Sequence, residues 1–223
     1  MKNKLIVANW KANKNIEEAQ QWAEEFMTAE KRNNRHYVVC PPYPLIPFLL
    51  DITEHDIDLG VQDISPFGAG AYTGEVAPFN LQLLGIKYAI VGHSERRRYF
   101  QETSNTTAQK VTQALDFDIT PIVCVDRDQI EEQAQLLSAE ERSQVIVAYE
   151  PIHAISTFGG HQDPIDLTLK AIAQIRSAFG ENTTVLYGGS VDPDSSIIYL
   201  NEDSIDGVLV GNASLEADKF SKL

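Results

Sequence analysis

The chain has 223 residues, 43% hydrophobic and 22% charged, a balance that fits a folded globular protein and excludes a disordered one. Its formal net charge of −14 argues against nucleic acid and anionic membrane surfaces as partners. The two cysteines, Cys40 and Cys124, are too few for a disulfide framework or a zinc site, and no apolar run approaches the ~20 residues of a membrane span.

The segment Met1-Lys2-Asn3-Lys4 leads into a strand at Leu5–Asn9 and does not read as a signal peptide, so a cytoplasmic setting is expected. Trp10 and Lys11 follow. A helix is expected over Asn15–Glu30, with Asn15 as its cap, Glu18 at the capping-box position, and Trp22, Ala23 and Phe26 on one face. Strands are expected at His36–Pro41, Asp58–Gln62 and Tyr88–Gly92. After the last of these comes His93, and the pair Ser94-Glu95 suits the cap of another helix. A helix over Asn105–Phe117, a strand at Thr120–Val125, a short helix over Asp128–Leu137 and a strand at Val145–Glu150 continue the series. Asp163-Pro164 opens a helix over Ile165–Phe179 that ends at Gly180. The last strands, Thr184–Tyr187 and Gly207–Val210, run into glycine-bearing loops, Gly188-Gly189-Ser190 and Gly211-Asn212.

These strands are almost wholly apolar, as parallel strands buried on both faces are. Alternation with helices implies right-handed crossovers. Eight strands in one unbroken series predict the α/β class and a closed (β/α)8 TIM barrel forming a single domain over residues 1–223. An open doubly wound sheet that binds a dinucleotide wants G-x-G-x-x-G after the first strand, whereas Ala8-Asn9-Trp10-Lys11 stands there. In such barrels the chemistry sits at the C-terminal ends of the strands. Here those ends carry Asn9, Lys11, Gln62, Asp63, His93, Glu95, Asp126, Glu150, Ser190 and Asn212.

Each of these has a plain reading beside a chemical one. Glu150 emerges from Val145-Ile-Val-Ala-Tyr149, where poor solvation makes a carboxylate a stronger base; equally, it is a strand-end acid paired with a cation. A lone strand-end histidine such as His93 is more often structural, although a helix N-terminus facing its ring would keep the imidazole neutral. Lys11 is either a surface lysine or a fixed ammonium that offsets the negative field of the chain. Glycine loops after the last two strands are where barrels commonly hold phosphate.

Taken together, Ala8-Asn9-Trp10-Lys11, Gly70-Ala-Tyr-Thr-Gly-Glu-Val76, Val91-Gly-His-Ser-Glu-Arg-Arg97, Ala148-Tyr-Glu-Pro151, Tyr187-Gly-Gly-Ser-Val191 and Asp206-Gly-Val-Leu-Val-Gly211 resemble, in this order and over nearly the whole chain, the triosephosphate isomerase family. The resemblance implies cofactor-free and metal-free interconversion of dihydroxyacetone phosphate and glyceraldehyde 3-phosphate, in glycolysis and gluconeogenesis. It implies Glu150 as the base and a neutral His93 that polarises the carbonyl, roles for which this family is a standard worked case. It further implies Lys11 stabilising the enediolate and phosphate, Asn9 holding the carbonyl end, and Glu95 supporting Lys11 and His93. Backbone N–H groups of Ser156, Ser190, Gly211 and Asn212 are implied phosphate ligands, and Pro151–Thr157 a closing lid. The loop Asp63–Val76 is implied to insert into a second copy, making a homodimer.

Some positions depart from the family pattern. His153 stands where the family has Trp, Ser156 and Phe158 where it has Gly, Asn212 where Gly is usual, and Asp126-Arg127 where Gly-Glu follows the fifth strand. The chain is compact, with its shortening placed around strands 5–7. Two other readings stay open here: another phosphate-binding barrel isomerase or epimerase, and a barrel that binds sugar phosphates without turnover.

Overall fold

The computed structural model describes residues 3–50, 57–152 and 162–223. Eight strands close into a parallel barrel in chain order. They are β1 (Lys4–Asn9), β2 (Arg35–Cys40), β3 (Ile57–Val61), β4 (Tyr88–Val91), β5 (Thr120–Val125), β6 (Ile146–Tyr149), β7 (Thr184–Tyr187) and β8 (Gly207–Val210). All eight lie where the apolar runs placed them, within a residue or two at the ends. Successive side chains alternate between two cores. Val7, Val38, Ile90, Ile122 and Leu209 fill the barrel interior, whereas Ile6, Val39, Val91 and Val147 face the surrounding helices.

Among the helices, α1 (Ile16–Thr28) starts with the expected reciprocal box. Asn15 Oδ1 accepts the Glu18 N–H, and Glu18 Oε2 accepts the Asn15 N–H. Its inner face, Ala19, Trp22, Ala23 and Phe26, is buried. The Trp22 ring stacks on Phe26 with centroids 5.0 Å apart and meets Trp10 edge-on at the same distance. That anchors the turn between Asn9 and Lys11, because Trp10 is fully buried.

Further along, α2 (Pro78–Leu81), α3 (Ser94–Phe100), α4 (Ser104–Leu115), α5 (Ile130–Gln135) and α6 (Ala139–Gln144) precede β6. The expected helix over Asp128–Leu137 is instead a 3₁₀ turn at Arg127–Gln129 leading into α5. Helix α6 was not expected, yet its start was readable: Ser138 and Glu141 form a capping box at the right spacing. Helix α7 (Ile165–Phe179) has the expected bounds, with Pro164 at the cap position and not inside the first turn. Two short helices, α8 (Ser196–Leu200) and α9 (Ala217–Ser221), complete the ring. The β5–β6 connection carries only the six-residue helices α5 and α6 and the β7–β8 connection the five-residue α8, while α7 before β7 has 15 residues.

Closure depends on how tightly β8 meets β1. Gly207 pairs with Leu5, and a Cβ on Gly207 would overlap the Leu5 backbone oxygen, nitrogen and carbon. Backbone cannot yield there as a flexible side chain would. Gly207→Ala is expected to cost about 3 kcal/mol or more in urea unfolding. Gly68→Ala, whose nearest contact would be 3.5 Å from Gln113 Oε1, is expected to stay within about 0.5 kcal/mol of the parent.

Candidate active site

The C-terminal ends of the strands converge on a small cavity whose walls include Asn9, Lys11, His93, Glu150, Ser190 and Gly211. Asn9 ends β1 and is buried. Two residues on, Lys11 has a left-handed backbone with φ of 54°, a strained conformation for a residue with a Cβ. Neighbouring groups hold it there. The Lys11 N–H donates to Asn9 Oδ1 at 3.2 Å, and the Lys11 carbonyl accepts from Gln62 Nε2 at 2.9 Å. Gln62 Nε2 also donates to the Cys40 carbonyl at the end of β2. The Lys11 ammonium then lies 2.6 Å from Glu95 Oε1.

His93 follows β4 and is itself the cap of α3: its Nδ1 accepts the Glu95 N–H at 3.2 Å. The expectation that the Ser94-Glu95 pair caps this helix is corrected, since both residues lie inside the first turn. A ring nitrogen that accepts an N–H carries no proton, so the network assigns the proton to Nε2. Nε2 faces Glu150 Oε1 at 3.0 Å.

Glu150 leaves β6 with its N–H donated to the Val125 carbonyl at the end of β5. Only 2% of its surface is exposed. Burial pushes this carboxyl up, while the hydrogen bonds it accepts from the neutral His93 ring and the Ser94 N–H (2.9 Å to Oε2) pull the other way. Gly188 of β7's loop lies close by; a Cβ there would stand 2.9 Å from Glu150 Cγ. A glycine at that position lets the loop lie against the carboxylate.

The remaining strand-end residues separate. Ser190 and Gly211 reach the cavity, whereas Asn212 opens the 3₁₀ turn Asn212–Leu215 and lines an adjoining cleft with Ser190. Asn212 does not adopt a left-handed backbone. Asp126 caps the turn Arg127–Gln129, accepting the Arg127 N–H at 2.8 Å. Ser156 and His153 of the expected lid, and Phe158 just beyond it, lie outside the described residues. No group of three or more His, Cys, Asp or Glu that could hold a metal ion occurs among the described residues.

The triosephosphate isomerase family model matches residues 4–223. The chain belongs to the triosephosphate isomerase family. Triosephosphate isomerase of Clostridium botulinum (strain Langeland) is 36% identical over 247 aligned positions, covering all of this chain and 99% of the relative. The protein of the same name from Caldanaerobacter subterraneus subsp. tengcongensis is 37% identical over 252 positions, and that from Mesomycoplasma hyopneumoniae (strain 7448) 34% over 238. Each of these covers at least 99% of this chain and 98% of the relative. Alignments longer than the 223 residues of this chain mean that these relatives have residues this isomerase lacks.

Three groups around the site of this isomerase were given no role from the sequence. Ser94 contributes its N–H because it opens α3, and the first turn of a helix has unbonded donors. Gln62 was singled out only as a strand-end polar residue. Arg97 lies one turn into α3, and its contacts depend on chain brought in from α4 and α5. Asp63, by contrast, joins an ion cluster away from the cavity. Its carboxylate lies 2.6 Å from Lys110 Nζ and 2.9 Å from Arg96 Nε, and both cations also contact Glu102 Oε1 at 2.5 Å.

Burial, reinforced by Glu102 and only partly offset by Lys110 and Arg96, pushes Asp63 up to about 6. A carboxyl raised on folding contributes stability that is present below the ordinary value of 3.8 and lost as pH rises through about 6. Asp63→Asn removes that dependence. Urea unfolding is therefore expected to show the variant gaining on the parent by on the order of 1–3 kcal/mol between pH 4 and 7. A difference independent of pH would contradict the raised value.

Proposed function

We propose that this isomerase interconverts dihydroxyacetone phosphate and D-glyceraldehyde 3-phosphate through an enediolate, with Glu150 and His93 as the reacting pair. The observation that carries the reading is the 3.0 Å approach of His93 Nε2 to Glu150 Oε1 in a cavity that Lys11 and Asn9 also line.

The steps follow from the groups present. Glu150 takes the proton from the carbon beside the carbonyl, and the C–H electron pair becomes the C=C bond of the enediolate. The Nε2–H of His93 donates to the carbonyl oxygen, and the ring regains a proton from the neighbouring hydroxyl. Glu150 returns its proton to the adjacent carbon, so no atom or charge is left over. Substrate oxygens replace Glu150 as the partner of His93 Nε2, which frees the carboxylate to act. Lys11 offsets the developing negative charge, and Glu95 fixes the ammonium. Asn9 orients the carbonyl end. Backbone N–H groups of Ser190, Gly211, Asn212 and Ser156 are the proposed phosphate ligands. A chain carrying a formal −14 needs such a local cationic site to hold a dianion.

The proposed assembly is a homodimer through Asp63–Val76. The loop is closed at its base by the Ser65 N–H to the Val76 carbonyl. Its tip stacks Phe67 on Tyr72 with centroids 4.4 Å apart, and both remain more than 40% exposed. Paired aromatic rings held in water are the kind of surface a partner covers. A single catalytic domain in the cytoplasm is the proposed setting. No helix among the described residues is long and apolar enough to cross a membrane.

Isomerisation of glyceraldehyde 3-phosphate by the purified chain is expected to fall by about a thousandfold or more in Glu150→Gln. A fall of less than about tenfold would assign the base elsewhere. For the assembly, sedimentation of the Phe67→Asp, Tyr72→Asp double variant is expected to give a monomer where the parent gives a dimer. A parent that sediments as a monomer would remove the proposed interface.

A further inference from the structure

Arg97 is placed so that one guanidinium touches the backbone beside both reacting residues. Its Nε donates to the Gly92 carbonyl at 2.8 Å, and Gly92 directly precedes His93. Its Nη2 donates to the Cys124 carbonyl at 3.3 Å, and the next carbonyl along β5, that of Val125, accepts the Glu150 N–H. The strand end that carries the imidazole and the strand end that anchors the carboxylate are thus tied through one planar group.

That group is held in turn by α4 and α5. Nη2 also donates to Gln133 Oε1 at 3.0 Å, and Nη1 to Ser104 Oγ at 3.3 Å. Gln133 is fully buried, and its Nε2 donates to the Ser104 carbonyl at 3.1 Å. Ser104 Oγ donates to Glu132 Oε2 at 2.9 Å. Every acceptor of the Arg97 guanidinium among the described residues is therefore a neutral oxygen, with the carboxylate of Glu132 one hydroxyl away. A neutral amide fixes a guanidinium by geometry without drawing it off the two carbonyls, as a competing ion pair would.

We propose that Arg97 and Gln133 are positioning residues that set the spacing of the His93 ring and the Glu150 carboxylate. The inference rests on the reading of those two as the reacting pair. Loss of the Gln133 amide lets the guanidinium relax away from Gly92 and Cys124, and small displacements of reacting groups are costly.

The test uses the full chain. Gln133→Leu is expected to lower kcat by about tenfold or more with KM within about twofold, and to shift the His93 Nε2–H proton resonance. Gln133→Glu keeps an oxygen for Nη2 but makes it a carboxylate that draws the guanidinium off the two carbonyls, so kcat is expected to stay lowered and the resonance displaced, with KM again within about twofold. Ser104→Ala loses the 3.3 Å contact and the bond to Glu132 but keeps the carbonyl that holds Gln133; it should move both readouts the same way by less, and serves if Gln133→Leu does not fold. Unchanged kcat and an unchanged resonance in a variant that only melts earlier would overturn the proposal and leave Gln133 a core residue. A parent that does not isomerise glyceraldehyde 3-phosphate would defeat the functional reading by itself, while the resonance still decides whether Gln133 places the ring.

Discussion

The hydrogen bond from the Glu95 N–H to His93 Nδ1, 3.2 Å long, is the constraint on which the site turns. It makes the imidazole the cap of its own helix and leaves the ring a single proton, aimed at Glu150. Two carboxylates flank that ring, Glu150 Oε1 at 3.0 Å from Nε2 and Glu95 Oε2 at 3.8 Å from Nδ1, and Glu95 is paired in turn with Lys11 at 2.6 Å. The backbone donor decides the matter, because a protonated Nδ1 has no lone pair to accept it.

The barrel is what makes so local an arrangement possible. Parallel closure brings Asn9, His93 and Glu150, far apart in the chain, to one rim. The tight Gly207–Leu5 pairing joins the last strand to the first. Around that rim the fold repeatedly uses backbone to place side chains. Gln62 holds the strained Lys11 by its carbonyl, Arg97 spans Gly92 and Cys124, and the Val125 carbonyl receives Glu150. Asp126 caps its own 3₁₀ turn, and the buried Gln133 of the β5–β6 connection meets Arg97.

Much of this was legible before the structure. Near-continuous apolar runs gave all eight strands, since parallel strands buried on both faces have no polar alternation to blur them. Asn15 with Glu18 announced α1 through a local rule, and Ser138 with Glu141 would have announced α6 by the same rule. Helix starts governed by less common caps were harder. Histidine is not among the favoured cap residues, so Ser94 and Glu95 drew the assignment that belongs to His93. Strand-end position told which residues stand at the rim but not which way they point. Asp63 turns into an ion cluster with Lys110, and Asn212 into the neighbouring cleft. The parts the sequence left silent, Gln62, Arg97 and Gln133, act across chain separations that no local spacing reveals.

The account stands or falls on the protonation of one ring. Nitrogen-15 NMR of the histidine side chains at pH 7.5, with His93 assigned by its loss in His93→Gln, measures it directly. A neutral imidazole with the proton on Nε2 and a bare Nδ1 is the predicted result. A doubly protonated ring, or a proton on Nδ1, would contradict the hydrogen-bond network and with it the roles drawn for His93 and Glu150.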